Sequence, residues 1–212
     1  MGTTLLLVRH GRTAWNKIER FRGQQDIPLD SFGQQQAEAV AQRIALEYHP
    51  AAVLSSPLKR ARQTAEPIAR ACDLQVQIHQ GLLDINYGQL AGLTLEEAER
   101  SFPALLQAWR QNPHLVHFPE GESLETVRKR VEGLLSFVRD HFAEREVVLV
   151  GHIVVCRVFL CALLGVPNSY FWRFHMDTAS LSEFHFQGPY ATLIRVNDTC
   201  HLASLEPSAD GA

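Results

Sequence analysis

The chain has 212 residues, a formal net charge of −3, 46% hydrophobic residues and 20% charged ones. That is the balance of one globular domain with room for an insertion, and the slight negative charge excludes a global pull towards nucleic acid or an anionic membrane. Cys72, Cys156, Cys161 and Cys200 show no C-x-x-C pair and no regular spacing, so they read as reduced thiols of a cytoplasmic protein rather than a disulfide framework or a metal site. No apolar run reaches the length of a membrane span, since 147–166 is broken by Gly151, His152 and Arg157, and residues 4–8 are too few for a signal-peptide core.

The short apolar run TLLLV at 4–8 predicts a strand buried on both faces. A polar loop over 17–30 follows, and Asp30 or Ser31 then caps a helix to about Glu47 with Ala37, Val40, Ala41 and Ile44 on one face. A second strand is expected at 51–56, with Pro57 in the first turn of a helix that runs to about Cys72, and a third strand at 74–78. Residues 81–122 hold two short helical patches, 94–100 and 103–111, among Gly, Pro, Asn and His; they read as a small lid inserted over the sheet. A long amphipathic helix spans Ser123 to about Phe142, the buried strand EVVLV occupies 146–150, and an apolar helix covers 153–164. Two closing strands are expected at 178–186 and 190–196, and 203–212 reads as a disordered tail. Alternating strands and helices predict a three-layer α/β/α sandwich over 1–202, with a mostly parallel central sheet and helices on both faces. Ligands of such sheets bind at the carboxyl ends of the strands.

Those strand exits carry Arg9, His10 and Gly11, then Lys59, Arg60 and Arg62, then His152. Two histidines and at least two arginines at one sheet edge build a local anion site, and the planar guanidinium fork suits phosphate oxygens. Backbone N–H groups after Gly11 and at the helix start after His152 add partial positive charge. Neighbouring cations disfavour protonation of histidine, which leaves a neutral imidazole nitrogen free to attack phosphorus. A leaving alkoxide needs a proton, and Asp84 in GLLDINYG is the candidate acid. Other residues carry plainer expectations. His79, His141, His185 and His201 read as structural, His114 and His117 as loop surface, Lys59 and Arg62 as solvated charges, and Trp109, Phe159 and Trp172 as packing. His10, His152 and Asp84 lack the spacing of a metal site, and the G-x-x-x-x-G-K-[ST] phosphate loop is absent.

The run LVRHGRTAWN resembles the R-H-G-x-T-x-x-N signature of the histidine phosphatase superfamily, also called phosphoglycerate mutase-like. The resemblance continues in order through 20–37, LSSPLKRARQTA (54–65), LLDINYGQLAG (82–92), PEGES (119–123) and VVLVGH (147–152). It implies that His10 is the phosphorylated nucleophile and that Arg9, Arg60 and His152 clamp the phosphoryl oxygens. It further implies that Asn16 contacts phosphate or orients its loop, that Arg22 and Gly23 lie at the substrate mouth, and that Asp84 is the general acid, with no metal or other cofactor.

Three departures bear on substrate. Asp84 stands where Glu is usual, Ile153-Val154 follows the second histidine where glycines are common, and Arg12 and Arg22 fall at positions often polar or acidic. The Ile153 N–H still suits phosphate, and Arg12 and Arg22 point to a second anionic group on the substrate. The short insertion and PEGES favour a phosphatase that hydrolyses a small-molecule phosphate ester through phosphohistidine. The alternatives are a phosphoglycerate mutase and a phospho-ligand binding protein without turnover. Nucleic-acid and membrane partners are not expected, and the oligomeric state, a homodimer included, is open.

Overall fold

Four strands from different parts of the chain lie side by side with their carboxyl ends at one edge. In the computed structural model, which describes residues 2–16, 18, 20–188 and 190–205, these are β1 (Thr3–Arg9), β2 (Ala52–Ser55), β3 (Val76–Ile78) and β4 (Glu146–Gly151). The sheet order is β3-β2-β4-β1-β5-β6, where β5 is Leu181–Gln187 and β6 is Tyr190–Asp198. The first four pair in parallel, whereas β5 runs antiparallel to β1 and β6 antiparallel to β5. Leu5, Leu6, Leu7 and Val8 are each 0% exposed, and burial of such a side chain contributes about 1.5–3 kcal/mol.

Alternate residues of β1 serve opposite faces. Leu6 and Val8 pack on α1 (Ser31–Glu47) and α2 (Lys59–Ala71), while Leu5 and Leu7 join the core made with α5 (Leu124–His141) and α6 (Ile153–Leu163). The three-layer α/β/α expectation therefore holds. The insertion carries α3 (Leu95–Ser101) and α4 (Pro103–Gln111). Its Leu82, Ile85, Leu90, Ala98, Leu106, Trp109, Val116 and Phe118 belong to the same core as α5 and α6, so it has no apolar centre of its own.

Local chemistry sets the boundaries. Asp30 caps α1 by accepting the Gly33 N–H, and Ser123 caps α5 by accepting that of Thr126. The helix expected to hold Pro57 in its first turn begins instead at Lys59, after an extended Leu58 with ψ 140°. The reason is that Ser56 Oγ accepts the Leu58 N–H and Asp26 Oδ1, from a distant loop, accepts that of Lys59. Of the expected tail, 203–205 follow a short 3-10 turn at Cys200–Leu202, and 206–212 lie outside the described residues. Among the described residues no helix is long and apolar enough to cross a membrane.

Candidate active site

Parallel register brings the strand exits together. Arg9 lies opposite Gly151 and Ser55 opposite Val150, so the next residues, His10, Ser56 and His152, meet at one edge. The His10 and His152 ring centroids are 5.2 Å apart, and both side chains are buried. Gly11 adjoins the first turn of α1, where a Cβ on residue 11 would fall 2.5 Å from the Gly33 carbonyl oxygen. A Cβ on Gly33 would in turn lie 2.0 Å from the Arg12 carbonyl oxygen.

Hydrogen-bond partners fix the tautomers of both histidines. The Gly11 carbonyl can only accept, so His10 Nδ1–H donates to it at 2.7 Å, and Nε2 keeps its lone pair. Arg60 Nε–H can only donate, so His152 Nδ1 accepts it at 3.1 Å and His152 Nε2–H donates to Ser56 Oγ at 2.7 Å. Burial first, then the Arg60 charge, lowers the pKa of each ring well below 6.5. Both rings are therefore held in the neutral form, with the His10 Nε2 lone pair free.

Arg60 is fully buried and four of its five N–H groups are engaged. Besides His152, it donates from Nη1 to the Gln25 carbonyl and from Nη2 to the Gly23 carbonyl (both 2.7 Å) and to Asp84 Oδ2 (3.1 Å). Arg60 and His152 are thus hydrogen-bonded into the frame of the site, with one Arg60 Nη1 N–H left over. Arg9 differs. Its Nη1 donates to the Met176 carbonyl, but its buried Nε has no partner among the described residues, and burial with the nearby Arg22 charge brings its pKa down to about 10. Arg22 is half-buried and has no side-chain hydrogen bond or ion pair to any described residue, and burial lowers its pKa.

Asp84 Oδ1 accepts the N–H of Ile85, and Oδ2 lies 3.8 Å from His152 Nδ1. Burial raises its pKa, an effect that the Arg60 charge opposes without cancelling. A carboxyl kept protonated further up the pH scale suits an acid. Sequence reasoning missed what holds it. Arg130, on α5, donates to the carbonyls of Leu83 and Asp84 and to Glu122, whose Oε2 also accepts the Asn86 N–H. PEGES was legible as a motif, whereas nothing in the periodicity of α5 marks Arg130.

The backbone positive charge expected after Gly11 is differently used. The Gly11 N–H donates to Thr64 Oγ1, that of Arg12 to Gln36 Oε1, and that of Thr13 to Asn16 Oδ1. Asn16 therefore orients its loop. Arg12 is turned to Asp30 (Nε to Oδ2, 2.8 Å) and lies 4.4 Å over the Phe32 ring; the structure does not bring it to the substrate cavity. At the start of α6 no side chain among the described residues caps the helix, which leaves the Ile153 N–H and its neighbours free to donate hydrogen bonds.

A cavity of about 290 Å³ adjoins this centre, lined at its inner end by Arg22, Gly23, Asp84 and Ile153. Phe21, Tyr87, Leu95 and Trp109 form its walls, and the more exposed Arg20, Arg110 and Trp172 lie at the outer end. Trp109 and Trp172, expected as packing alone, both pack and face it. Gly23 has φ +47°, and a Cβ there would lie 2.8 Å from the Ile85 carbonyl oxygen. Lys59 and Arg62 are exposed and paired with Asp26 and Glu66; His79, His141 and His185 make hydrogen bonds within their own segments, and His201 ties Arg43 to the Ala179 carbonyl. His114 and His117 are exposed.

The model of the histidine phosphatase superfamily (branch 1) matches residues 5–199. The chain belongs to that superfamily. Phosphoserine phosphatase 1 of Hydrogenobacter thermophilus is 39% identical over 98% of both chains. A mycobacterial glucosyl-3-phosphoglycerate phosphatase solved with VO3 superposes with TM-score 0.85 at 28% identity, over 92% of this chain and 99% of that one. A phosphoserine phosphatase mutant from Entamoeba histolytica, in complex with phosphoserine, gives TM-score 0.82 at 29% identity over 94% and 98%. This member of the superfamily is a phosphatase.

Proposed function

We propose that the protein hydrolyses a small phosphomonoester through a phosphohistidine on His10, without a metal. The observation that carries the reading is the His10 tautomer: Nδ1–H is tied to Gly11, and Nε2 is unprotonated within a buried cationic frame. In the first half-reaction the Nε2 lone pair forms an N–P bond while the ester P–O bond breaks. The leaving oxygen takes the proton of Asp84. In the second, water adds to phosphorus and gives a proton to the Asp84 carboxylate. The N–P electron pair returns to His10, and inorganic phosphate departs.

The phosphoryl oxygens fit the donors left over: Arg9 Nε, Arg22 and the N–H groups opening α6. An unpartnered buried donor costs about 1–3 kcal/mol, which a phosphoryl oxygen would offset. Arg60 and His152 position Asp84 and add fixed charge. A second anionic group on the substrate finds less support, because Arg12 is bound to Asp30 and Arg22 serves the phosphoryl oxygens. The names of the relatives make phosphoserine and glucosyl-3-phosphoglycerate the first compounds to assay.

The deciding test is p-nitrophenyl phosphate turnover with and without EDTA, for the wild type and His10→Ala. Turnover that survives EDTA and disappears in the variant, with 32P-phosphohistidine trapped by acid-free quench, is expected. Loss of activity with EDTA, or full activity in His10→Ala, would overturn the proposal.

A further inference from the structure

The cavity beside Asp84 constrains the leaving group of the substrate. A general acid must reach the oxygen that joins phosphorus to the rest of the substrate, and Asp84 lines the cavity. The leaving group therefore occupies that space. Its walls are mainly carbon. Phe21 meets Tyr87 edge to face (5.1 Å, 85°), Tyr87 meets Trp109 (6.5 Å, 89°), and Trp109 meets Trp172 (5.5 Å, 76°). Leu95 and Ile153 complete the apolar surface. Trp172 remains 43% exposed, yet its Nε1–H donates to the Trp109 carbonyl at 2.8 Å and Arg157 lies 4.8 Å over its ring. Its indole is held in place rather than free to swing.

The polar groups of the cavity point the same way. Among the described residues Asp84 is the sole carboxylate that lines the cavity, and its proton is already committed to the reaction. A substrate ammonium entering here would be stripped of water and, among the described lining residues, would find no further carboxylate to meet it. The arginines at the outer end are balanced, Arg110 by Glu99 and Arg20 by the Gly92 carbonyl with Glu97 at 3.9 Å. That end makes no strong demand for a second anion.

We propose that the preferred substrate is a phosphomonoester of an alcohol bearing an aromatic ring, with the ring seated among Phe21, Tyr87, Trp109 and Trp172. This deepens the phosphatase reading and rests on it. Edge-to-face contacts and the area withdrawn from water favour such a ring. The chemistry is unchanged: the ester and one water yield the arylalkyl alcohol and inorganic phosphate.

The test compares benzyl phosphate, ethyl phosphate and phosphoserine, all esters of aliphatic alcohols, so that leaving-group acidity does not mimic recognition. The expected result is a kcat/KM for benzyl phosphate at least tenfold above both others. Benzylphosphonate should likewise inhibit at least tenfold more tightly than ethylphosphonate, a measurement that needs no variant. Trp172→Ala should shrink the benzyl-to-ethyl ratio of kcat/KM at least fivefold. Turnover of phosphoserine faster than benzyl phosphate, equal inhibition by the two phosphonates, or an unaltered ratio in a folded Trp172→Ala would each refute the aromatic seat while leaving the phosphatase standing. Failure to hydrolyse any of the three esters or p-nitrophenyl phosphate would refute both.

Discussion

The edge of the sheet and the cavity beside it are built on opposite plans. At the edge, His10, His152 and Arg60 come from rigid elements and are buried and bound to one another or to backbone. The cavity is walled by side chains from the 20–23 loop, the insertion and the 168–173 turn, with few polar atoms committed to one another. Chemistry that must be the same for every ester is fixed by hydrogen bonds, and recognition is left to surfaces. Asp84 belongs to both regions, which makes it the place where the contrast can be broken.

Asp84→Asn should have the largest effect. It removes the proton but keeps the shape, so kcat/KM for an alkyl phosphate should fall about 10²–10⁴-fold, and far less for p-nitrophenyl phosphate, whose leaving group needs no acid. Its pH profile sharpens the point. The raised Asp84 must be protonated to act, so wild-type activity is lost as pH rises through that pKa, and the variant should lack this alkaline limb. On the acid side His10 acts when neutral, so activity should persist below pH 6.5, its ordinary value, and fail only through its lowered pKa.

Arg130→Met comes next. It touches neither the cavity nor the histidines, yet it holds the Leu83 and Asp84 carbonyls. A displaced acid costs up to about 10²-fold, seen in kcat more than KM and with a displaced alkaline limb. A variant that lost only thermal stability would reduce Arg130 to scaffolding. Arg12→Ala should have the smallest effect, under about threefold on kcat/KM for any ester, with about 1 kcal/mol of stability lost from its ion pair with Asp30. Arg22→Ala, by contrast, should lower kcat/KM for every ester, by about 10²-fold; equal behaviour of the two variants would remove the distinction drawn between them.

Much of the edge is legible in residues 3–10 and 146–152, because an apolar run that stops at a basic or imidazole side chain shows both the strand and what it delivers. Asp84 is legible through its chemistry. The roles of Arg60 and Arg12 are not, since a guanidinium reads the same in a sequence whether a carboxylate, a carbonyl or a ligand holds it. Trp109 and Trp172 show a different obstacle. The sequence reads Trp109 as packing, and it is indeed buried, but no pattern states that Phe21, Tyr87 and Trp172, from separate loops, converge around it.

The contact between Gly11 and Gly33 has a consequence for how the site tolerates change. What a side chain at either position would strike is main chain, the Gly33 carbonyl in one case and that of Arg12 in the other. A neighbouring side chain can be trimmed to make room, but a carbonyl cannot. Replacement at one position therefore has no second-site remedy at the other, and the two glycines are jointly irreplaceable rather than interchangeable partners. Variation in substrate has to be sought in the walls of the cavity, where Phe21, Tyr87, Leu95 and Trp109 present side chains.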